Sequence, residues 1–151
     1  MEYSKKLKRN GSLVGGILHS AIPYHINQVA KKAMDKSISF SYITGNACGG
    51  FEKDIKCSDP FYSLEIKTSS DRKIKGNKSY ATESKTPKKN KSGYHILVYY
   101  TIKCGFSNAG IDCIRFGWLD SQDWIKGGQS SQFSFVRSNI VNLKTNVIFE
   151  K

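Results

Sequence analysis

Apolar side chains recur at Ile22, Ile26, Val29, Ala30, Ala33 and Met34, with Lys31, Lys32 and Asp35 between or after them. Steps of three and four residues gather the apolar set on one face of a helix and leave the charges on the other. The pattern predicts a helix over Pro23–Lys36. Pro23 suits its first turn, where an N–H would have had no partner, and Gly15-Gly16 predicts a turn or loose start upstream.

The period then shortens. Ile38–Ile43, Phe51–Cys57 and Phe61–Thr68 read as three short strands, separated by the Gly-rich stretch through Gly49-Gly50 and by Ser58-Asp59-Pro60. Connections that tight predict antiparallel neighbours. Asp71–Lys91 is rich in Lys and in breakers and predicts an exposed connection. Tyr94–Ile102 is nearly continuous in apolar residues, as expected of a central strand covered on both faces. Asp112–Leu119 follows with Ile114, Phe116 and Trp118 alternating against Arg115 and Gly117. Beyond Gly127-Gly128, Ser131–Val136 and an apolar stretch over Val141–Phe149 complete the chain. One helix, three strands, a basic connection and further strands describe an α/β domain with a central mixed β-sheet. At 151 residues the chain fits one domain, 1–151.

Charge narrows the partners. Lys and Arg total 24 against 12 Asp and Glu, a net +12 spread along the chain, which favours a polyanion such as nucleic acid. A Lys-rich solvated surface accounts for the same numbers, since only Arg9, Arg72, Arg115 and Arg137 are arginine. The longest apolar stretch, His95–Ile102, is far short of the roughly 18 residues of a membrane span. The basic N-terminus lacks the apolar core of a secretory leader, so a cytoplasmic protein is expected. Cys48, Cys57, Cys104 and Cys113 fall in two pairs with eight residues inside each. Zinc sites space paired cysteines by about two to four residues, and buried reduced thiols fit better.

Two acids and a lysine carry the candidate chemistry. Alternate side chains of a strand share a face about 6.6 Å apart, so Glu65 and Lys67 point together and are expected to be displayed, while Leu64 and Ile66 enter the core. Asp54 lies in the preceding strand, where a hairpin sets it beside Glu65; Glu52 shares its face and is held in reserve. Asp59, before Pro60, suits a turn. Two carboxylates can share a hard cation such as Mg²⁺, which binds a phosphate oxygen and activates water. Lys67 can orient that water and offset phosphate charge. Solvated pairing of Asp54 and Glu65 with Lys53, Lys56 and Lys67 is the bland alternative, and a Glu-x-Lys tripeptide is common by chance.

Asp54 followed by Glu65-Ile66-Lys67 resembles the PD-(D/E)xK nuclease signature. The longer words Leu64–Ser70, Gly76–Ala81, Lys91–Tyr94 and Arg115–Asp120 with Asp123-Trp124 resemble ScaI-type type II restriction endonucleases, over roughly Gly50–Gln129. The resemblance implies a restriction-endonuclease-like α/β core, Mg²⁺ as cofactor, and a homodimer cutting both strands of a short palindrome in double-stranded DNA. Asp54 and Glu65 would be the metal ligands and, with Lys67, the catalytic set. Lys53 stands where the family pattern has proline, and the predicted helix offers Asn27 and Gln28 but no glutamate to assist the metal.

Lys73, Lys75, Lys78, Lys88, Lys89 and Lys91 follow the Glu-x-Lys strand and are expected to meet phosphates, which position DNA without reading it. Asn77, Ser79 and Tyr80 lie among them as candidates for base edges or backbone; a charged loop without specific contacts is the alternative for each. Trp118 and Trp124 read as core anchors and Asp120 as the cap of a helix over Gln122–Lys126. His19, His25 and His95 do not cluster. No G-x-S-x-G or P-loop is present. The competing readings are a structure-selective nuclease such as a junction resolvase, and a nucleic-acid-binding protein whose acids are structural.

Overall fold

The structure is a computed structural model and describes residues 2–33, 40–42, 53–57, 62–77, 92–103, 108–127 and 133–151. Helix α1 spans Glu2–Ala33 and packs against β1 (Phe40–Tyr42) and β3 (Leu64–Ser69). It starts far upstream of the predicted Pro23 and runs through Gly15-Gly16, where a turn was expected. Tertiary packing explains the difference. At Gly15 an added Cβ would lie 3.0 Å from the Thr68 hydroxyl, so the missing side chain is what brings helix and strand together. That contact outweighs the intrinsic weakness of glycine and of an internal proline in a helix. Of the predicted apolar face, Ile22 and Ile26 are half-buried and Val29 is exposed; Met34–Lys36 lies outside the described residues.

Six strands form one sheet in the order β1-β2-β3-β5-β6-β9, with β2 at Ile55–Cys57, β5 at Gly93–Lys103, β6 at Asn108–Leu119 and β9 at Thr145–Glu150. The first three strands are antiparallel neighbours, as their short connections predict. β3 and β5 are parallel, and β5–β6 and β6–β9 antiparallel, so the sheet is mixed. β5 is central, as its apolar run predicts.

A second, three-stranded sheet was not foreseen. It has the order β4-β8-β7, from Lys75–Asn77, Phe133–Val136 and Trp124–Lys126. Part of the expected exposed connection is therefore β4, and the expected helix over Gln122–Lys126 is a 3₁₀ turn at Ser121–Asp123 followed by β7. The final apolar stretch divides into helix α2 (Ser138–Lys144) and β9.

Both faces of β3 and β5 are covered. Ile66, Ile96 and Val98 lie on the side of Thr68, under α1. Leu97 and Tyr99 face the other way, into a core completed by Ile74 and Val136 from around the second sheet, Trp124 of β7, Val141 of α2, and Cys113 and Leu119 of β6. Cys113 is a buried free thiol; Cys48 and Cys104 lie outside the described residues.

α2 and β9 close over β6 at Gly117. A Cβ there would stand 2.2 Å from the Lys144 carbonyl oxygen and 2.7 Å from Thr145 Cα, both backbone atoms that cannot swing aside. Arg115, two residues along, donates to the Thr145 carbonyl at 2.7 Å and hydroxyl at 2.9 Å, pinning the same junction. We predict that Gly117→Ala lowers stability by about 1–3 kcal/mol, the usual cost of forcing extra volume into a packed contact. A urea-unfolding midpoint equal to that of the unaltered chain would rule this out.

Candidate active site

The β2–β3 ladder is short, with Ile55 opposite Leu64. Extending that antiparallel register by one step sets Asp54 opposite Glu65. Asp54 lies just before β2, and its Oδ2 accepts the Ile66 backbone N–H at 2.8 Å. A side-chain carboxylate thus takes the place of a missing ladder carbonyl. This bond serves the backbone and fixes the acid beside the Glu65–Ile66 peptide at the same time.

Glu65 and Lys67 share a strand face and form a hydrogen-bonded ion pair between Oε1 and Nζ. Ile66 is fully buried on the opposite face, as its alternation predicts, and Leu64 is half-buried. Glu65 departs from the expected display: it is only 2% exposed. The second sheet covers the face that the sequence pattern assigned to solvent. A carboxylate removed from water needs opposite charge and hydrogen bonds close at hand, and Lys67 supplies them. The bland reading of a solvated pair therefore does not describe this acid.

Three further groups flank Asp54 or the β3–β5 pairing. His19 of α1 brings Nδ1 within 3.7 Å of Asp54 Oδ2. The helix does meet the acidic strand, through a histidine upstream of the predicted start. Lys53 extends its ammonium to the Ser92 carbonyl at 2.8 Å and lies where a side chain on Gly93 would be, 2.3 Å from the ideal Cβ position. Gly93 also has φ +144°, a backbone conformation open to glycine. His95, paired in register with Glu65 across β3–β5, is fully buried. Its Nδ1 lies 2.8 Å from the Gly93 carbonyl. A carbonyl can only accept, so Nδ1 carries the proton and Nε2 the lone pair. None of these three was separable from ordinary core or surface residues in the sequence, because their proximity arises from non-adjacent elements.

Among the described residues no three His, Cys, Asp or Glu side chains gather as a metal cage. What the site offers is two carboxylates from neighbouring strands, a hard oxygen set. That set fits a cation such as Mg²⁺, which characteristically binds through one or two carboxylates and keeps its other positions for water and phosphate. Glu52, the reserve ligand, and Asp59 lie outside the described residues. So do Lys78, Ser79, Tyr80, Lys88, Lys89 and Lys91; Asn77 ends β4, and Lys73 and Lys75 are exposed beside it.

Trp118 and Trp124 divide their expected role. Trp124 is buried in the core, whereas Trp118 is half-buried, stacks edge-on with Tyr94 and donates its Nε1–H to Asp120 at 2.8 Å. Lys144 binds Asp120 and Asp123 at 2.8 and 2.7 Å, tying α2 to the 3₁₀ turn. These acids are committed to structure.

The family model described as ScaI restriction endonuclease matches residues 17–149. The curated type II restriction enzyme ScaI of Streptomyces caespitosus is 39% identical over 100 residues, covering 58% of this chain and 43% of that protein. The matched part thus spans less than half of the relative. No solved structure gives a significant match.

Burial lowers the His95 pKa from 6.5 to about 4; the Gly93 hydrogen bond opposes that fall, and the Lys53 and Lys67 charges add to it. Unfolded chains take up a proton here below about 6.5, which the folded chain refuses until about 4. Stability from this group is therefore complete above pH 6.5 and declines as pH falls toward 4. The expected loss between pH 7 and 5 is about 2 kcal/mol, at about 1.4 kcal/mol per unit. Urea unfolding at the two pH values should show it, and His95→Asn should lack that increment; equal acid sensitivity in both proteins would refute the assignment.

Proposed function

The chain belongs to the ScaI restriction endonuclease family, and from that membership we propose that it is a Mg²⁺-dependent, sequence-specific endonuclease of double-stranded DNA that acts as a homodimer. The observation that supports this most directly is the Glu65–Lys67 ion pair held next to Asp54. A buried carboxylate and an ammonium side by side are difficult to explain as surface decoration, and they are the groups that phosphodiester hydrolysis requires.

In this reading Asp54 and Glu65 are the carboxylates that hold the cation. When bound, Mg²⁺ would withdraw charge from a phosphate oxygen and make a water more acidic. Asp54 is kept in place by the Ile66 N–H, so its orientation does not depend on ligand. Lys67, paired with Glu65, would place its positive charge beside the reacting phosphate and stabilise the negative charge that grows in the transition state. Water attacks phosphorus in line with the departing sugar oxygen, and the bond from phosphorus to that oxygen breaks. Covering by the second sheet keeps the pair partly dry, which strengthens these interactions relative to bulk water.

The net charge of +12 brings the polyanion to the site, and two copies of the chain would present one such site to each strand of a palindrome. Among the described residues no helix is long and apolar enough to cross a membrane.

Glu65→Ala and Lys67→Ala are each expected to lower cleavage of long duplex DNA by at least about a hundredfold while binding stays measurable, because each removes a contact made chiefly in the transition state. Chelation of divalent ions should abolish cutting, and Mg²⁺ should restore it. Sequencing the product ends should return one short, symmetric motif; random ends, or full activity in either variant, would contradict the proposal.

A further inference from the structure

The second sheet has an inner and an outer face. Ile74, Ser134, Val136 and Trp124 point inward and are buried. On the outer face Lys75 of β4 stands directly opposite Phe135 of β8, which in turn stands opposite Ile125 of β7. Phe135 is 38% exposed. Beside it opens a cleft of about 440 Å³, lined by Lys73, Lys75, Phe135, Arg137 and Ser138 among others. Three cations thus line the same cleft as one exposed aromatic ring. Asp71 is the carboxylate that answers them: it pairs with Lys75 and accepts the Lys73 backbone N–H at 3.2 Å.

Given the endonuclease reading above, on which this inference rests, we propose that this outer face is a second contact with the DNA duplex, in which Lys73 and Arg137 bind phosphates and Phe135 lies against the adjoining sugar or base edge. Charge complementarity selects the occupant. The cleft carries more positive than negative groups on a chain of net +12, and an exposed ring flanked by cations is the composition that nucleic acid favours, with charge for the backbone and an apolar surface for the nucleoside. Arg137 adds a planar guanidinium suited to phosphate oxygens.

Distance makes the contact compatible with the Glu65–Lys67 centre. Lys73 is six residues beyond Lys67, so their Cα atoms are at most about 20 Å apart. That corresponds to no more than about six base-pair steps of duplex at about 3.4 Å each. A duplex whose scissile phosphate reaches Lys67 would therefore have Lys73 within the length of a short recognition site.

The test is duplex binding by the full chain in Ca²⁺, which should support docking without rapid cutting, measured across a series of salt concentrations. Lys73→Ala and Arg137→Ala should each weaken binding several-fold and reduce the steepness of the salt dependence by about one unit, as expected for a lost phosphate contact. Phe135→Ala should weaken binding with the salt dependence unchanged, since no ion is released from a ring. Asp71→Asn, which keeps an acceptor for the Lys73 N–H and frees Lys75, should tighten binding. A purely structural role for this carboxylate predicts no such gain. Lys151→Ala serves as a charge control and should change binding less than either cleft variant; an equal loss there would mean that net charge alone is at work. Thermal unfolding shows whether each variant keeps its fold, and Phe135→Leu gives an alternative ring deletion. If the unaltered chain binds and cuts while the cleft variants bind like it, the second contact is wrong and the endonuclease reading stands. If the unaltered chain binds no duplex, both fall.

Discussion

A carboxylate with almost no access to water is the constraint around which the molecule is arranged. Glu65 is 2% exposed on a strand paired on both sides and covered on both faces. Such a group is tolerated only where charge and hydrogen bonds replace its hydration. Lys67, two residues along the same face, supplies the ammonium. The parallel β3–β5 pairing places His95 beside the pair in a neutral form, its proton fixed on Nδ1 by the Gly93 carbonyl. A structural domain would gain more from apolar residues at these positions.

The scaffold builds this environment from both sides. α1 approaches β3 closely at Gly15, with Thr68 in contact, and delivers His19 to Asp54. The three-stranded sheet approaches the opposite face and completes the apolar core with Trp124 and Val136. Gly117 and Arg115 let α2 and β9 settle on β6, and Lys144 ties α2 to Asp120 and Asp123. Each connection is local and modest. Together they hold Asp54, Glu65 and Lys67 on well-supported elements, and in the proposed reaction that fixed placement would be a large part of what the site contributes.

The small sheet thereby has two roles. Its inner face dries the Glu65 side of the central sheet, and its outer face carries Lys75, Phe135 and the nearby Lys73 and Arg137. Strand alternation makes this economical, because one residue in two serves each face. Burial of the acid and presentation of the cations are thus consequences of the same three strands.

Much of this was written in the chain. Alternation marked β3, β5 and β6, and short connections marked the antiparallel β1–β2–β3 order. The spacing of Asp54, Glu65 and Lys67 marked the acids and the lysine, because strand periodicity is a local property that side-chain order records directly. Tertiary structure decided the rest. Glu65 was expected at the surface and is buried, since nothing in β3 announces the sheet that will cover it. Lys75–Asn77 looked like loop because three residues with two polar side chains become a strand only when Phe133–Phe135 pairs with them. α1 begins before Pro23 because contact with Thr68 outweighs the local cost of glycine and proline. His19, Lys53 and His95 reached the site from separate elements. A sequence encodes which residues alternate; which faces are then hidden from water depends on contacts between segments far apart in the chain, and it was those contacts, not residue order, that buried the acid beside its lysine.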